Sequence, residues 1–337
     1  MKLKRLIITL LVFIISASLL IGCGKGSNTA DKEGSKNTNA TTTSTKKKVI
    51  GVMIGDMSNQ FQSYIMDGMK AEAKKVEDEF EFVFVDGKFD SNIQLSQAEN
   101  FISQKANAII LIPGDKEGSR PIVDRIFKAG IPLIGVNTKV AEMEKLTTYV
   151  GSDTVQSGEL LMQGIADKLG GKGNIVELHG FYGHEPQIER HKGIMNILLS
   201  KYPDIKVLAE NTGKWNRAEG MAVMENWLKS DLKDKINAVV AHNDEMAIGA
   251  MKAVEAVGLL DKIIIGGIDA TPEMLKYLKE GKVEVTVFQD AVGQGKKAIE
   301  CAVKAVKGEK LEKEYMIPYE LVKPEDADKY LAKYSTK

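Results

Sequence analysis

From Lys48 onward one pattern repeats: short β-branched apolar runs alternate with longer amphipathic stretches, the signature of βαβ units that build parallel sheets. The runs are Val49 to Ile54, Phe80 to Val85, Ala108 to Ile112, Pro132 to Val136, Asn174 to Leu178, Lys206 to Ala209, Ala238 to Ala241, Ile263 to Gly266 and Glu284 to Phe288. Between them lie helical patterns such as Tyr64, Ile65, Met69, Ala73, Val76 and Ile122, Ile126, Phe127, with charges on the opposite face. Strands apolar on both faces need helices on both faces of the sheet. The predicted fold is therefore α/β and doubly wound, and such sheets hold ligands in the crevice beyond the carboxyl ends of their strands.

The residues at those ends suit recognition of hydroxyl groups. Asn59 and Phe61 follow the first run and Asn137 the fourth; Asn243, Asp269 and Gln289 follow three later ones, and Arg190 and Trp215 are placed in loops of the second half. A single Asn after a strand is most simply a helix cap or a turn residue. Arg and Gln are not favoured caps and Trp is not a favoured turn residue, so the recurrence points further. A sugar or polyol needs planar donors and acceptors, which Asn, Gln, Asp and Arg supply. It also needs an apolar plate for its ring face, which Trp215 and Phe61 offer. Burying Asp269 or Arg190 unpaired costs several kcal/mol by order of magnitude, so ligand would favour the closed form of a hinged cleft.

The chain opens with Met1-Lys2-Leu3-Lys4-Arg5 and an apolar run from Leu6 to Ile21, the charged and apolar regions of an export signal. The run is shorter than the roughly 20 residues of a membrane-spanning helix. Leu20-Ile21-Gly22-Cys23 resembles a bacterial lipobox, which implies a signal peptide over residues 1–22 and a lipid on Cys23. Residues 23–47, rich in Ser, Thr, Asn and Lys, read as a flexible tether. With Cys23 so used, Cys301 has no intrachain partner, and its Ala/Val/Lys helical setting makes it a small buried hydrophobe. The 46 basic residues balance 46 acidic ones, so overall charge gives no pull toward nucleic acid, and a neutral ligand fits best.

The segment Asn243-Asp244-Glu245-Met246-Ala247 resembles a signature of the periplasmic ribose/galactose-type sugar-binding proteins, the substrate-binding lipoproteins of ABC transporters. Ser58-Asn59-Gln60-Phe61, Gly130-Ile131-Pro132, Tyr149 to Asp153, Ile268 to Pro272 and Lys307 to Lys310 support it. The resemblance runs from about Lys48 to Val322. It implies a periplasmic-binding-protein-like type I fold, two doubly wound parallel-sheet lobes joined by a three-segment hinge near Gly151, Asp290 and Pro318. The N-terminal lobe would comprise residues 48–150 plus 290–317, and the C-terminal lobe 151–289 plus 318–337. It also implies ligand contacts from Asn59, Phe61, Asn137, Arg190, Trp215, Asn243, Asp269 and Gln289, a permease and an ATPase as partners, a monomer and no cofactor.

Departures from the pattern bear on the ligand. Ribose binders carry an Asp-Arg pair where this chain has Asn137-Thr138, and an asparagine where it has Pro113. Asn137 with Trp215, and Gly183-His184 before Arg190, look more like the galactose/glucose or inositol binders. Thr138 and Pro186 replace the lysine and aspartate of a glucose-type site, and no calcium-loop pattern is present. A cyclic polyol such as inositol is favoured over galactose, glucose or a pentose.

Other functions fit less well. A repressor of this fold would need a DNA-binding motif before Lys48, where the signal and tether stand. No G-x-S-x-G elbow, Walker A loop or H-E-x-x-H pair marks an enzyme. His179, His184 and His191, near Glu185 and Glu189, raise a metal site as an alternative, but their spacing matches no standard motif. The surface reading of these histidines is preferred, with no metal ligand assigned and His184 kept as a candidate ligand contact. A peptide-binding surface lipoprotein would need an exposed apolar groove, and a sensor component reading the closed form is compatible with the same features.

Overall fold

The computed structural model describes residues 46–334; the signal peptide, Cys23 and most of the tether expected from the sequence lie outside them. The apolar runs become the central strands of two separate sheets. β1 (Lys48–Ile54), β2 (Phe80–Asp86), β3 (Ala108–Leu111), β4 (Leu133–Val136), β5 (Thr148–Gly151) and β11 (Glu314–Met316) form the first, in the order β2-β1-β3-β4-β5-β11 and parallel throughout. β6 (Gly173–His179), β7 (Ile205–Thr212), β8 (Ala238–Ala241), β9 (Ile264–Asp269), β10 (Val285–Phe288) and β12 (Glu320–Val322) form the second, ordered β7-β6-β8-β9-β10-β12. Only β12 runs antiparallel to its neighbour. In each sheet the strand order reverses beside the first strand, which opens a crevice at the carboxyl ends.

Helices cover both faces, as the buried strands require. On the first sheet α1 (Gln60–Ala73) packs with α9 (Ala291–Lys307) on one side, and α2 (Ser91–Ser103) with α3 (Arg120–Lys128) on the other. On the second, α4 (Thr154–Leu169) and α5 (Glu185–Lys201) face α6 (Arg217–Leu228) and α7 (Asp244–Ala256) across the sheet. α8 (Pro272–Lys279) and α10 (Ala327–Lys333) extend the latter side. Each core is a pair of apolar layers, and both are complete within Ile50 to Tyr330. Cys301 is buried in the first, and burial pushes its thiol up to about 11, so it is an inert packing group.

The chain passes between the sheets after β5, after β10 and after β11. β5, β11 and β12 carry no recognisable apolar run: they are three or four residues long, and neighbouring strands impose their pairing. Two placements correct the sequence reading. Arg190 stands inside α5 and not in a loop, because His184 ends the preceding turn and Pro186 occupies the first helical turn. Phe127, read as part of an apolar helical face, is 55% exposed at the end of α3. Among the described residues no helix is long and apolar enough to cross a membrane.

Candidate ligand-binding site

One cavity, about 660 Å³ including its mouth, lies between the carboxyl ends of the two sheets, within the range usual for small-molecule sites. All nine residues singled out from the sequence line it: Asn59, Phe61, Asn137, His184, Arg190, Trp215, Asn243, Asp269 and Gln289. Several are held by local devices that also explain their residue type. Asn59 caps α1 by accepting from Gln62 N at 3.0 Å, and Asn243 caps α7 by accepting from Met246 N at 3.0 Å. The cap reading is therefore right for both, and both residues still line the cavity. The Asn243 Nδ2 group also donates to the Trp215 carbonyl at 3.3 Å, which steadies the loop carrying the indole.

Backbone strain concentrates here. Phe89 (φ 51°), Asn137 (φ 63°), Trp215 (φ 60°) and Asp269 (φ 129°) all line the cavity with φ in the region that favours glycine. Each costs on the order of 1 kcal/mol or more and persists only where the surroundings enforce it. At Asn137 the enforcing contact is visible: the Tyr149 hydroxyl donates to its carbonyl at 2.6 Å while its own Nδ2 donates to Gln294 at 3.2 Å.

The polar centre is Arg190. Its guanidinium donates to Gln289 Oε1 at 3.0 Å and to the His242 carbonyl, stands 3.9 Å from Asp269 Oδ1, and lies over the Trp215 ring at 5.7 Å from the centroid. Its Nε is buried without a hydrogen-bond partner among the described residues, an arrangement that costs about 1–3 kcal/mol unless an acceptor arrives. Asp269 is 2% exposed; burial pushes its carboxyl well up, Arg190 draws it down, and Asp244 and Glu245 push it up again. Asp244, beneath it, accepts from Thr271 N at 2.7 Å and from the Thr286 hydroxyl at 2.9 Å, and burial raises it to about 7. Aromatic groups close the other side. Trp215 Nε1 donates to His184 Nδ1 at 3.4 Å, and Phe89 from the first sheet meets His184 and Phe181 of the second at ring separations of 5.6 and 6.1 Å.

Among the lining residues not assigned as ligand contacts from the sequence, Phe89, Tyr319 and Glu185 stand out. Phe89 follows β2, a position that the carboxyl-end rule already marks. Tyr319, 5% exposed, sits where the chain returns to the second sheet before β12, a strand too short to be seen. Glu185 opens α5 next to His184. It is 4% exposed, its Oε2 is without a partner among the described residues, and burial raises its carboxyl to about 7.

The histidines require a correction. His179 is 2% exposed, not a surface group, because β6 runs through the middle of its sheet and ends on it. His191 pairs with the buried Glu177, whereas His184 lies apart, in the cleft.

A family model described as a periplasmic binding protein domain matches residues 50–310, and this chain belongs to that family. Its two-lobed α/β fold is the type I periplasmic-binding-protein fold. The chain is 36% identical to a putative rhizopine-binding protein of Rhizobium meliloti, over 83% of this chain and 91% of the relative. It is 32% identical to the ribose import binding protein RbsB of Bacillus subtilis, over 95% and 98%. Among solved structures, an ABC transporter solute-binding protein of Bacillus halodurans with bound myo-inositol superposes with a TM-score of 0.82. The two are 48% identical, over 86% of this chain and 98% of that one. The family consists of extracytoplasmic substrate-binding proteins.

Proposed function

We propose that this chain is the substrate-binding lipoprotein of an ABC importer, tethered outside the cytoplasmic membrane through Cys23, and that it captures a cyclic polyol of the inositol class. The observation that carries this reading is the Arg190–Gln289–Asp269 arc facing Trp215 in the cavity between the two sheets. A guanidinium, an amide and a carboxylate supply donors and acceptors for a ring of hydroxyls, and the indole supplies the apolar plate. The myo-inositol carried by the 48% identical relative favours the cyclic polyol over ribose. So does Asn137, whose amide meets Gln294 where a ribose site would hold a charged pair.

In this reading residues 48–150 with 290–317 form one lobe and 151–289 with 318–337 the other. The segments after β5, β10 and β11 flex as the hinge, and the permease and ATPase receive the closed monomer. Calorimetric titration of the chain from Lys46 onward with myo-inositol, ribose, galactose, glucose and xylitol tests the ligand class. Saturable one-to-one binding of myo-inositol is expected, weakened at least about thirtyfold in Arg190→Ala, because a buried charged hydrogen-bond partner is worth about 2–5 kcal/mol. Binding of ribose alone, or no loss in the variant, contradicts the assignment.

A further inference from the structure

Behind the cleft, on the second sheet, four side chains that the polyol reading does not use converge. Glu177 and His179 end β6, Glu210 lies on β7 and His191 on α5; one ligand atom from each lies within 4.8 Å of all the others. We propose that they form a binding site for a divalent transition-metal ion of the zinc class.

Three of the separations are close to those of a coordination shell, and the group, whose ligand atoms lie within 4.8 Å of one another, would tighten slightly around an ion. His191 Nδ1 stands 3.0 Å from Glu177 Oε1, His179 Nε2 stands 3.8 Å from the same oxygen, and His179 Nε2 stands 3.1 Å from Glu210 Oε2. Bonds of about 2.0–2.2 Å to a tetrahedral zinc place its ligand atoms roughly 3.4 Å apart. Two imidazole nitrogens with two carboxylates form a donor set suited to zinc, whereas calcium and magnesium prefer oxygen alone.

Charge points the same way. Glu177 is fully buried and contacted by His191 and His242, Glu210 belongs to the same group, and one divalent cation would neutralise both carboxylates. The ligands are also oriented from outside. His242 Nε2 meets Glu177 Oε1 at 2.7 Å, and the Gln187 amide engages His179 Nδ1 at 3.0 Å, turning Nε2 toward the carboxylates. Such outer contacts are the usual support of a metal-binding histidine or carboxylate. Access is open on one side, since the His191 and Glu210 side chains are 34% and 43% exposed.

None of its four residues lines the polyol cavity, and His242 connects the two places, through its carbonyl to Arg190 and through Nε2 to Glu177. Its test uses the untagged chain from Lys46 onward, stripped with chelator, titrated with Zn²⁺ by calorimetry and with Co²⁺ by visible absorption. One equivalent of Zn²⁺ is expected to bind, and Co²⁺ to give the intense absorption of a tetrahedral complex. Glu210→Gln and His191→Gln should each weaken binding by on the order of tenfold or more. Both positions are partly exposed, so an unchanged metal-free melting temperature serves as the control for folding. The absence of stoichiometric binding overturns the proposal, as does binding that neither variant weakens.

Discussion

At the scale of single residues the cleft combines groups that tolerate burial badly, and Glu185 is the clearest. Burial raises its carboxyl from 4.5 to about 7; Lys139, Arg190 and Lys116 pull it down and Glu189 pushes it up. A carboxyl raised by folding contributes stability that is complete below 4.5 and lost as pH rises through about 7. Glu185→Gln keeps the volume and removes the ionisation. The variant should match the parent near pH 4.5 and exceed it by up to about 3 kcal/mol above pH 7, as denaturant melts at pH 5 and pH 8 would measure. Parallel stabilities at the two pH values would remove Glu185 from this role. The sequence offers no hint of it, since one Glu before a helical proline looks like an ordinary first-turn acid.

At the scale of elements, the helix pair that carries Arg190 depends on close approach. A β-carbon on Gly158 of α4 would lie 2.1 Å from the Arg190 carbonyl oxygen, and one on Gly193 of α5 would lie 2.1 Å from the Val155 carbonyl oxygen. Neither contact can relax by rotating a side chain. Gly158→Ala should therefore force the helices apart, cost about 1–3 kcal/mol, and weaken polyol binding by displacing Arg190. A thermal melt with a titration checks both, and a variant with parental stability and affinity would show that the helices have slack. The long apolar strands were legible in the sequence because apolar residues run through β3 and β8 without a break and through β1 from Val49 to Ile54 with only Gly51 between them. β5, β11 and β12 were not, because three or four residues carry no period and take their pairing from the sheets. The same limit placed Arg190 in a loop, although Pro186 already signalled the helix start.

At the scale of the whole molecule, the strand-end rule together with the family resemblance pointed to nine residues that meet in one cavity, even though they are scattered from Asn59 to Gln289. A doubly wound sheet sends every carboxyl end to the same edge, so residues distant in sequence meet without any local signal. The histidine group was harder to read, because Glu177 and Glu210, which complete it, sit inside strands whose sequence reads only as core. The central claim is that polyol is held against Trp215, and the molecule contains its own reporter. Of its two tryptophans, Trp215 lines the cavity and Trp227 is buried in the α6–α7 core. The most direct measurement is tryptophan emission during titration with myo-inositol. A saturable change that disappears in Trp215→Phe is predicted; calorimetric binding with no change in emission, or a change that persists in Trp215→Phe, would place the ligand elsewhere.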